Sequence, residues 1–175
     1  MGTIVSDAPA ADAPAADTPR ADVAEPDTRS VMVPVSIRRA SETDAAAVAE
    51  LNGQLGYPAA VEDVRERLVA IEKVASQAVF VACLGEEVIG WIDVALTFHL
   101  QSRPFALIGG LVVKDGHRGR RVGQRLCDAA ERWAREQGVT VVRVTSRSTR
   151  ADAHRFYLRD GYREVKTSCV FEKEL

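Results

Sequence analysis

Leu111-Val112-Val113-Lys114-Asp115-Gly116-His117-Arg118-Gly119-Arg120-Arg121-Val122-Gly123-Gln124-Arg125-Leu126 decides the reading of this chain. An apolar run ends in a loop with two glycines and four basic residues, and a helical pattern begins at its far side. A strand feeding such a loop into a helix aims unpaired backbone N–H groups, and the positive end of the helix dipole, at one point. An anion, above all a pyrophosphate, suits that point. Gly119 and Gly123 let backbone approach without a Cβ in the way. Arg118, Arg120 and Arg121 add charge-assisted donors, each worth roughly 1.5–3 kcal/mol when buried against phosphate. The same letters also read as a strand end meeting a solvated basic helix start, and composition does not separate the two. A P-loop is excluded, because Gly119 is followed five positions later by Gln124, and no window supplies G-x-G-x-x-G.

Around this stretch the periodicities alternate. Val35–Arg39 reads as a strand, and Ser41 with Asp44 as a capping pair. Val48, Leu51 and Leu55 recur at helical spacing up to Gly56-Tyr57-Pro58, and Val61, Val64, Leu68 and Ile71 line a second helix. Val79–Leu84 and Val88–Phe98 flank Gly85-Glu86-Glu87 as a hairpin, and Phe105–Val113 follows as another strand. Gly119–Gln137 forms the long helix, with Val122, Leu126, Ala130 and Trp133 inward and Gly138 as its stop. Val139–Thr145 is a strand, a short helix runs from Thr149 to about Asp160, and strands are expected near Tyr162–Val165 and Cys169–Glu172. The order β-α-α-β-β-β-α-β-α-β-β describes one mixed α/β domain.

The 175 residues suffice for about one domain, and 46% apolar with 27% charged residues is an ordinary globular balance. No window approaches a membrane span of roughly 18 apolar residues. A net charge of −2 gives no overall reason to bind nucleic acid. Cys83, Cys127 and Cys169 match no disulfide or metal-ligand spacing, so no metal is expected and a reduced, cytoplasmic protein is. Residues 1–34 differ from the rest: five of the seven prolines, no aromatic residue, and six acids against two basic residues. Their net charge of −4 leaves +2 for residues 35–175 out of the total of −2. Such a segment cannot bury enough surface to offset its ordering entropy, and it is expected to be a disordered tail preceding a domain at 35–175.

Arg118 to Gly123 resembles motif A of the GNAT N-acetyltransferase superfamily, [Arg/Gln]-x-x-Gly-x-[Gly/Ala], with Arg121 standing where that family has its first glycine. Ala153-His154-Arg155-Phe156-Tyr157-Leu158-Arg159-Asp160-Gly161-Tyr162 resembles the family's A-x-x-F-Y-x-x-x-G-[F/Y] signature, and the element order across 35–175 is similar to its fold. The resemblance implies a mostly antiparallel central sheet of about six to seven strands flanked by about four helices. It also implies transfer of an acetyl group from acetyl-CoA to an amine of a small molecule or peptide, by direct attack in a ternary complex. A non-catalytic acyl-CoA-binding module of the same fold is the alternative. Nucleic acid and membrane are not expected partners, and a homodimer is compatible.

On that resemblance Leu111, Val112 and Val113 would pair with the pantetheine amides, and a backbone N–H near Leu111 would polarise the thioester carbonyl. Arg118, Gly119, Arg120, Arg121, Val122, Gly123 and Gln124 would hold the pyrophosphate, and Ser146 would add a hydrogen bond. Gly109-Gly110 falls where a family strand is often bulged. Tyr157 matches the family's general acid, its phenol protonating the departing thiolate, while Phe156 reads as apolar helix face. Tyr57, between the first two helices, and Asp93 are candidate acceptor-binding residues. The glutamate many relatives carry before the loop is replaced here by Ile108-Gly109-Gly110, so Asp93 and His99 are the remaining candidates for a base, which stays unassigned. Trp91 and Trp133 read as packing residues.

Overall fold

A computed structural model describes residues 34–175. The tail expectation over 1–34 lies, apart from Pro34, outside the described residues. Five strands, β1 (Val35–Arg39), β2 (Gln77–Leu84), β3 (Glu87–His99), β4 (Ser102–Val113) and β5 (Val142–Val144), form one sheet in that spatial order. Consecutive strands run antiparallel from β1 to β4, and β5 joins β4 in parallel. Helices α1 (Ala45–Leu55) and α2 (Val61–Glu72) connect β1 to β2, α3 (Val122–Glu136) connects β4 to β5, and α4 (Ala151–Arg159) follows β5.

The twofold alternation of the strands divides the interior into two layers. On one face Val48, Leu51, Val64 and Leu68 of α1 and α2 pack against Val79, Val81, Trp91 and Val112. On the other, Leu126, Ala130 and Trp133 of α3 pack against Ala82, Ile92, Val94, Ala106 and Ile108. The inward face read from the sequence of α3 is the buried one, with Val122, Leu126, Ala130 and Trp133 all at most 3% exposed.

Ser41 and Asp44 act together, but through a single 3-10 turn at Glu42–Asp44 that precedes α1. The Ser41 N–H donates to Asp44 Oδ2 at 2.8 Å, and the Arg38 guanidinium grips both carboxylate oxygens at 2.7 Å. Asp44 is the buried charged residue among those described, and its Arg38 bond holds its carboxyl below the usual range.

Two elements differ from expectation. The strand expected over 139–145 narrows to Val142–Val144, because Val139 instead packs beneath α3. The strands expected near Tyr162–Val165 and Cys169–Glu172 do not form, so the sheet has five strands rather than six to seven. Val165, Val170 and Phe171 are exposed there, and residues 163–175 pair with no strand. Alternating apolar residues give a segment strand character only when a neighbouring edge accepts its backbone groups. Among the described residues no helix is long and apolar enough to cross a membrane.

Candidate active site

The β4–β5 ladder is short. It pairs Ala106–Ile108 with Val142–Val144 and then stops, while β4 continues to Val113. The Lys114 N–H donates to the Ile89 carbonyl at 2.8 Å, which fixes the alternation on the β3 side. With Trp91 opposite Val112 and Ile92 opposite Leu111, the backbone groups of Val112 turn toward β3 and those of Leu111 and Val113 turn away from it. β5 has already ended at this point. The N–H groups of Leu111 and Val113 and the Leu111 carbonyl therefore form an open edge of the sheet. The Val113 carbonyl is taken by Gln54 of α1, whose Nε2 donates to it at 2.8 Å while its Oε1 accepts from the Asp115 N–H at 2.9 Å. This one amide fixes the end of β4 and the start of the loop to α1. Nothing in the sequence beyond a polar residue near an apolar helix face signals it.

The open edge leads into the N-terminus of α3. Its first intrahelical bond runs from the Arg125 N–H to the Arg121 carbonyl at 3.0 Å, so the amides of Val122, Gly123 and Gln124 have no partner within the helix. Arg121 at the N-cap supplies no side-chain bond to them. It adopts φ 59° and ψ 16°, making it the non-glycine residue with positive φ among those described. This left-handed conformation suits a glycine there, and arginine meets it with its side chain in solvent. Gly119 is likewise left-handed, at φ 82°, with open space where a Cβ would stand, so its requirement is conformational.

Gly123 has a different neighbour from the one its motif position suggests. A Cβ there would lie 3.2 Å from Phe156 Cζ and 3.3 Å from Phe156 Cε2, so the missing side chain admits α4 against α3. Of the loop cations, Arg118 pairs with Asp115 at 3.0 Å, and Lys114 pairs with Glu87 at 2.8 Å and Glu50 at 3.6 Å. Arg120 and Arg121 form no ion pair among the described residues.

Beside the open edge β4 is bulged. Asp93 pairs with Gly110 and Val94 with Ile108, leaving Gly109 as the extra residue. Both glycines make room for neighbours: a Cβ on Gly109 would stand 2.5 Å from Asp93 Oδ2, and one on Gly110 would stand 3.0 Å from Asp93 Oδ1 and 2.6 Å from Trp91 Cη2. Burial pushes the Asp93 carboxyl up to about 6, with the backbone amides of Gly110 and Asp93 pulling the other way. Trp91 and Trp133 are buried as expected, and the indole N–H of each has no partner. His99 lies elsewhere, paired with Ser102 at the β3–β4 hairpin end and against Phe105. Six residues along a strand separate it from Asp93, about 20 Å.

Tyr157 sits on α4 between Phe156 and Tyr162, in edge contact with both rings. Burial, and next the neighbouring Cys127, push its phenol up to about 12, against the lowering influence of Arg150. It is a phenol held protonated. Burial likewise raises the Cys127 thiol to about 12, which makes it inert. Ser146 lies exposed just beyond β5. Tyr57 is half-exposed, its hydroxyl accepting from Arg147 Nη2 at 2.8 Å with the guanidinium 5.2 Å from its ring centroid. Through that pair the α1–α2 loop touches the β5–α4 loop, a contact sequence reasoning missed. No cluster of potential metal ligands occurs among the described residues.

A mixed sheet opening beside a basic, uncapped helix N-terminus accords with a match to the acetyltransferase (GNAT) family over residues 45–162, and the chain belongs to that family. It is 39% identical over 79 residues to the aminoalkylphosphonate N-acetyltransferase of Salmonella typhimurium, covering 45% of this chain and 51% of that protein. The chain thus spans about half the length of this curated relative. Among solved structures it is similar to a transcriptional regulator from Bacillus halodurans, with TM-score 0.72 and 26% identity over 79% of this chain and 99% of that one. It is also similar to an aminoglycoside N-acetyltransferase in complex with CoA, with TM-score 0.73 and 19% identity over 81% and 95% of the two chains. An aminoglycoside 6'-N-acetyltransferase from Acinetobacter baumannii gives TM-score 0.72 and 17% identity over 81% and 99%. The last two likenesses are of fold.

Proposed function

We propose that this protein transfers the acetyl group of acetyl-CoA to a primary amine of a small molecule, by direct attack within a ternary complex. The observation that carries the reading is the open edge of Leu111 and Val113 running straight into the uncapped N-terminus of α3. An extended chain of two amides ending in a pyrophosphate is complementary to that arrangement. Pantetheine would complete the edge, and the amides of Val122, Gly123 and Gln124 with Arg118, Arg120 and Arg121 would receive the phosphates. The Leu111 N–H is the donor offered to the thioester oxygen, and Ser146 a further cofactor contact. Gly119 serves by turning the loop and Gly123 by admitting Phe156, with its N–H still in the first helical turn.

Tyr157 is the proposed acid. A phenol at about 12 lies above a thiol near 8.5, so its contribution is a hydrogen bond that strengthens as negative charge grows on sulfur, completed by proton transfer in the transition state. Tyr57, whose hydroxyl accepts from Arg147, is the proposed acceptor contact, a role the family resemblance supports. The aminoalkylphosphonate N-acetyltransferase match favours acceptors carrying an anionic group, which the exposed Arg147 beside Tyr57 would suit.

The test is release of CoA thiol from acetyl-CoA in the presence of aminoalkylphosphonates, aminoglycosides, polyamines, amino acids and peptides, with calorimetry of CoA binding alongside. Thiol release with at least one amine, and initial-rate lines that intersect rather than run parallel, are expected. Absence of acetyl-CoA binding would remove the reading. Binding without turnover of any amine would favour the acyl-CoA-binding module instead.

A further inference from the structure

We propose that Asp93 on β3 is the general base that takes the proton from the acceptor's ammonium group, and that the Gly109–Gly110 bulge in β4 exists to bring its carboxylate to the open edge. The inference rests on the acetyltransfer reading above and assigns the role that no residue of β4 fills.

The geometry has three parts. Gly110 faces Asp93 across the ladder and directly precedes Leu111, the first residue of the open edge. A Cβ on Gly109 would stand 2.5 Å from Asp93 Oδ2, and one on Gly110 would meet Trp91 Cη2 at 2.6 Å before Asp93 Oδ1 at 3.0 Å, so Gly109 leaves room for the carboxylate and Gly110 for the indole beside it. Asp93 also has no ion-pair partner among the described residues, unlike Asp44, whose carboxylate is gripped by Arg38. A partly buried carboxylate without a cation is costly to keep unless it serves something that arrives later.

Its surroundings are apolar. Trp91 stands on the same face of β3, Val79 is its partner on β2, and α1 packs over this face through Val48 and Leu51. No charged side chain of these elements contributes to its raised proton affinity, which comes from burial against the opposing pull of the Gly110 and Asp93 amides. Near pH 7 the group is mostly ionised yet accepts a proton more readily than an exposed aspartate, as a base working close to neutrality requires.

The step balances as follows. The ammonium proton passes to an Asp93 oxygen and then to solvent. The freed nitrogen lone pair forms the C–N bond at the thioester carbon, and the C–S bond breaks with its electron pair on sulfur. The nitrogen loses a second proton as sulfur gains one, giving amide, CoA thiol and one released proton.

Asp93→Asn keeps the shape and removes the base. Its kcat/KM at pH 7.5 should fall about 10²-fold or more, with acetyl-CoA Kd within about twofold of wild type. The wild-type profile should rise through about pH 6, and that limb should be absent in Asp93→Asn. Formate should restore part of the rate to Asp93→Ala, which a purely structural aspartate would not show. Gly109→Ala, whose methyl would displace Oδ2, should lower kcat with acetyl-CoA binding retained. An Asp93→Asn protein within about threefold of wild-type kcat/KM, or one that keeps the limb, overturns the assignment. Failure of wild type to release CoA with any amine would instead bring down the acetyltransfer reading, and this proposal with it.

Discussion

Replacing Asp93 by asparagine should make the protein more stable at neutral pH even as it removes activity. Burial raises the carboxyl from its usual 3.8 to about 6, so the folded state holds the proton more tightly than the unfolded chain does. Below 3.8 both states are protonated and the group is neutral to folding. As pH rises from 3.8 to about 6 the unfolded chain ionises first and stability falls, and above 6 the penalty is complete. At 1.36 kcal/mol per pH unit the full penalty is about 3 kcal/mol, an upper bound because the site keeps some contact with water. The carboxamide occupies the same volume without charge, although its NH₂ must also find a partner, so a gain of about 1–3 kcal/mol is expected. For a chain of this size that is about 3–9 °C in Tm. Thermal unfolding of both proteins between pH 4 and 8 measures it: the curves should converge near pH 4 and separate by pH 7, with Asp93→Asn higher. An Asp93→Asn protein with equal or lower Tm at pH 7.5, or a separation independent of pH, would refute the argument.

Arg121→Gly relieves a left-handed arginine worth about 1–2 kcal/mol of strain against about 0.4–1 kcal/mol of added unfolded-chain freedom. Urea denaturation should show a net gain of up to about 1.5 kcal/mol, and calorimetry an acetyl-CoA affinity within about fivefold, since an exposed charge contributes up to about 1 kcal/mol. Tyr157→Phe should lower kcat by up to about 10²-fold while leaving acetyl-CoA affinity unchanged. Because the phenol lies at about 12, a basic limb of kcat below pH 10 should persist in Tyr157→Phe, and an unchanged kcat would assign the residue to packing. Asp44→Ala removes the partner of Arg38 and the acceptor of the Ser41 N–H, and should cost about 1–3 kcal/mol by chemical denaturation at pH 7. Its carboxyl is held low, so this contribution should be lost as pH falls below 3.8, opposite in sign to the Asp93 effect.

The parts of the fold governed by local periodicity were legible in the sequence. The bounds of β1 and the buried face of α3 follow from apolar spacing, whereas the bulge at Gly109-Gly110 was implied by the family resemblance together with glycine's tolerance of a kink. What depended on a distant partner was not. Residues 162–165 and 169–172 carry strand-like residues but pair with no strand, and propensity does not register whether a partner is taken up. Gln54 and Arg147 act through backbone or ring groups 59 and 90 positions away, which no local pattern encodes. The motif marks Gly123 as a close approach to pyrophosphate, whereas the neighbour of its missing side chain is Phe156. In the sequence Asp93 stands level with His99 as a candidate left by the missing glutamate, whereas the placement of the bulge glycines across the ladder, which separates the two, is seen only in the structure.

The early end of β5 beside β4 has a consequence for the lifetime of the protein. A sheet whose edge is left unpaired along half of one strand has room for a visitor there, and on the proposed function that visitor is the acetyl donor. A ligand bound only by the folded chain at 100 times its Kd adds about 2.7 kcal/mol of stability. Opening of that edge, and proteolysis through it, would then slow when the donor is plentiful and quicken when it is scarce. On that reading the abundance of the protein would track the acetyl supply with no separate sensor, because its substrate would itself complete the sheet.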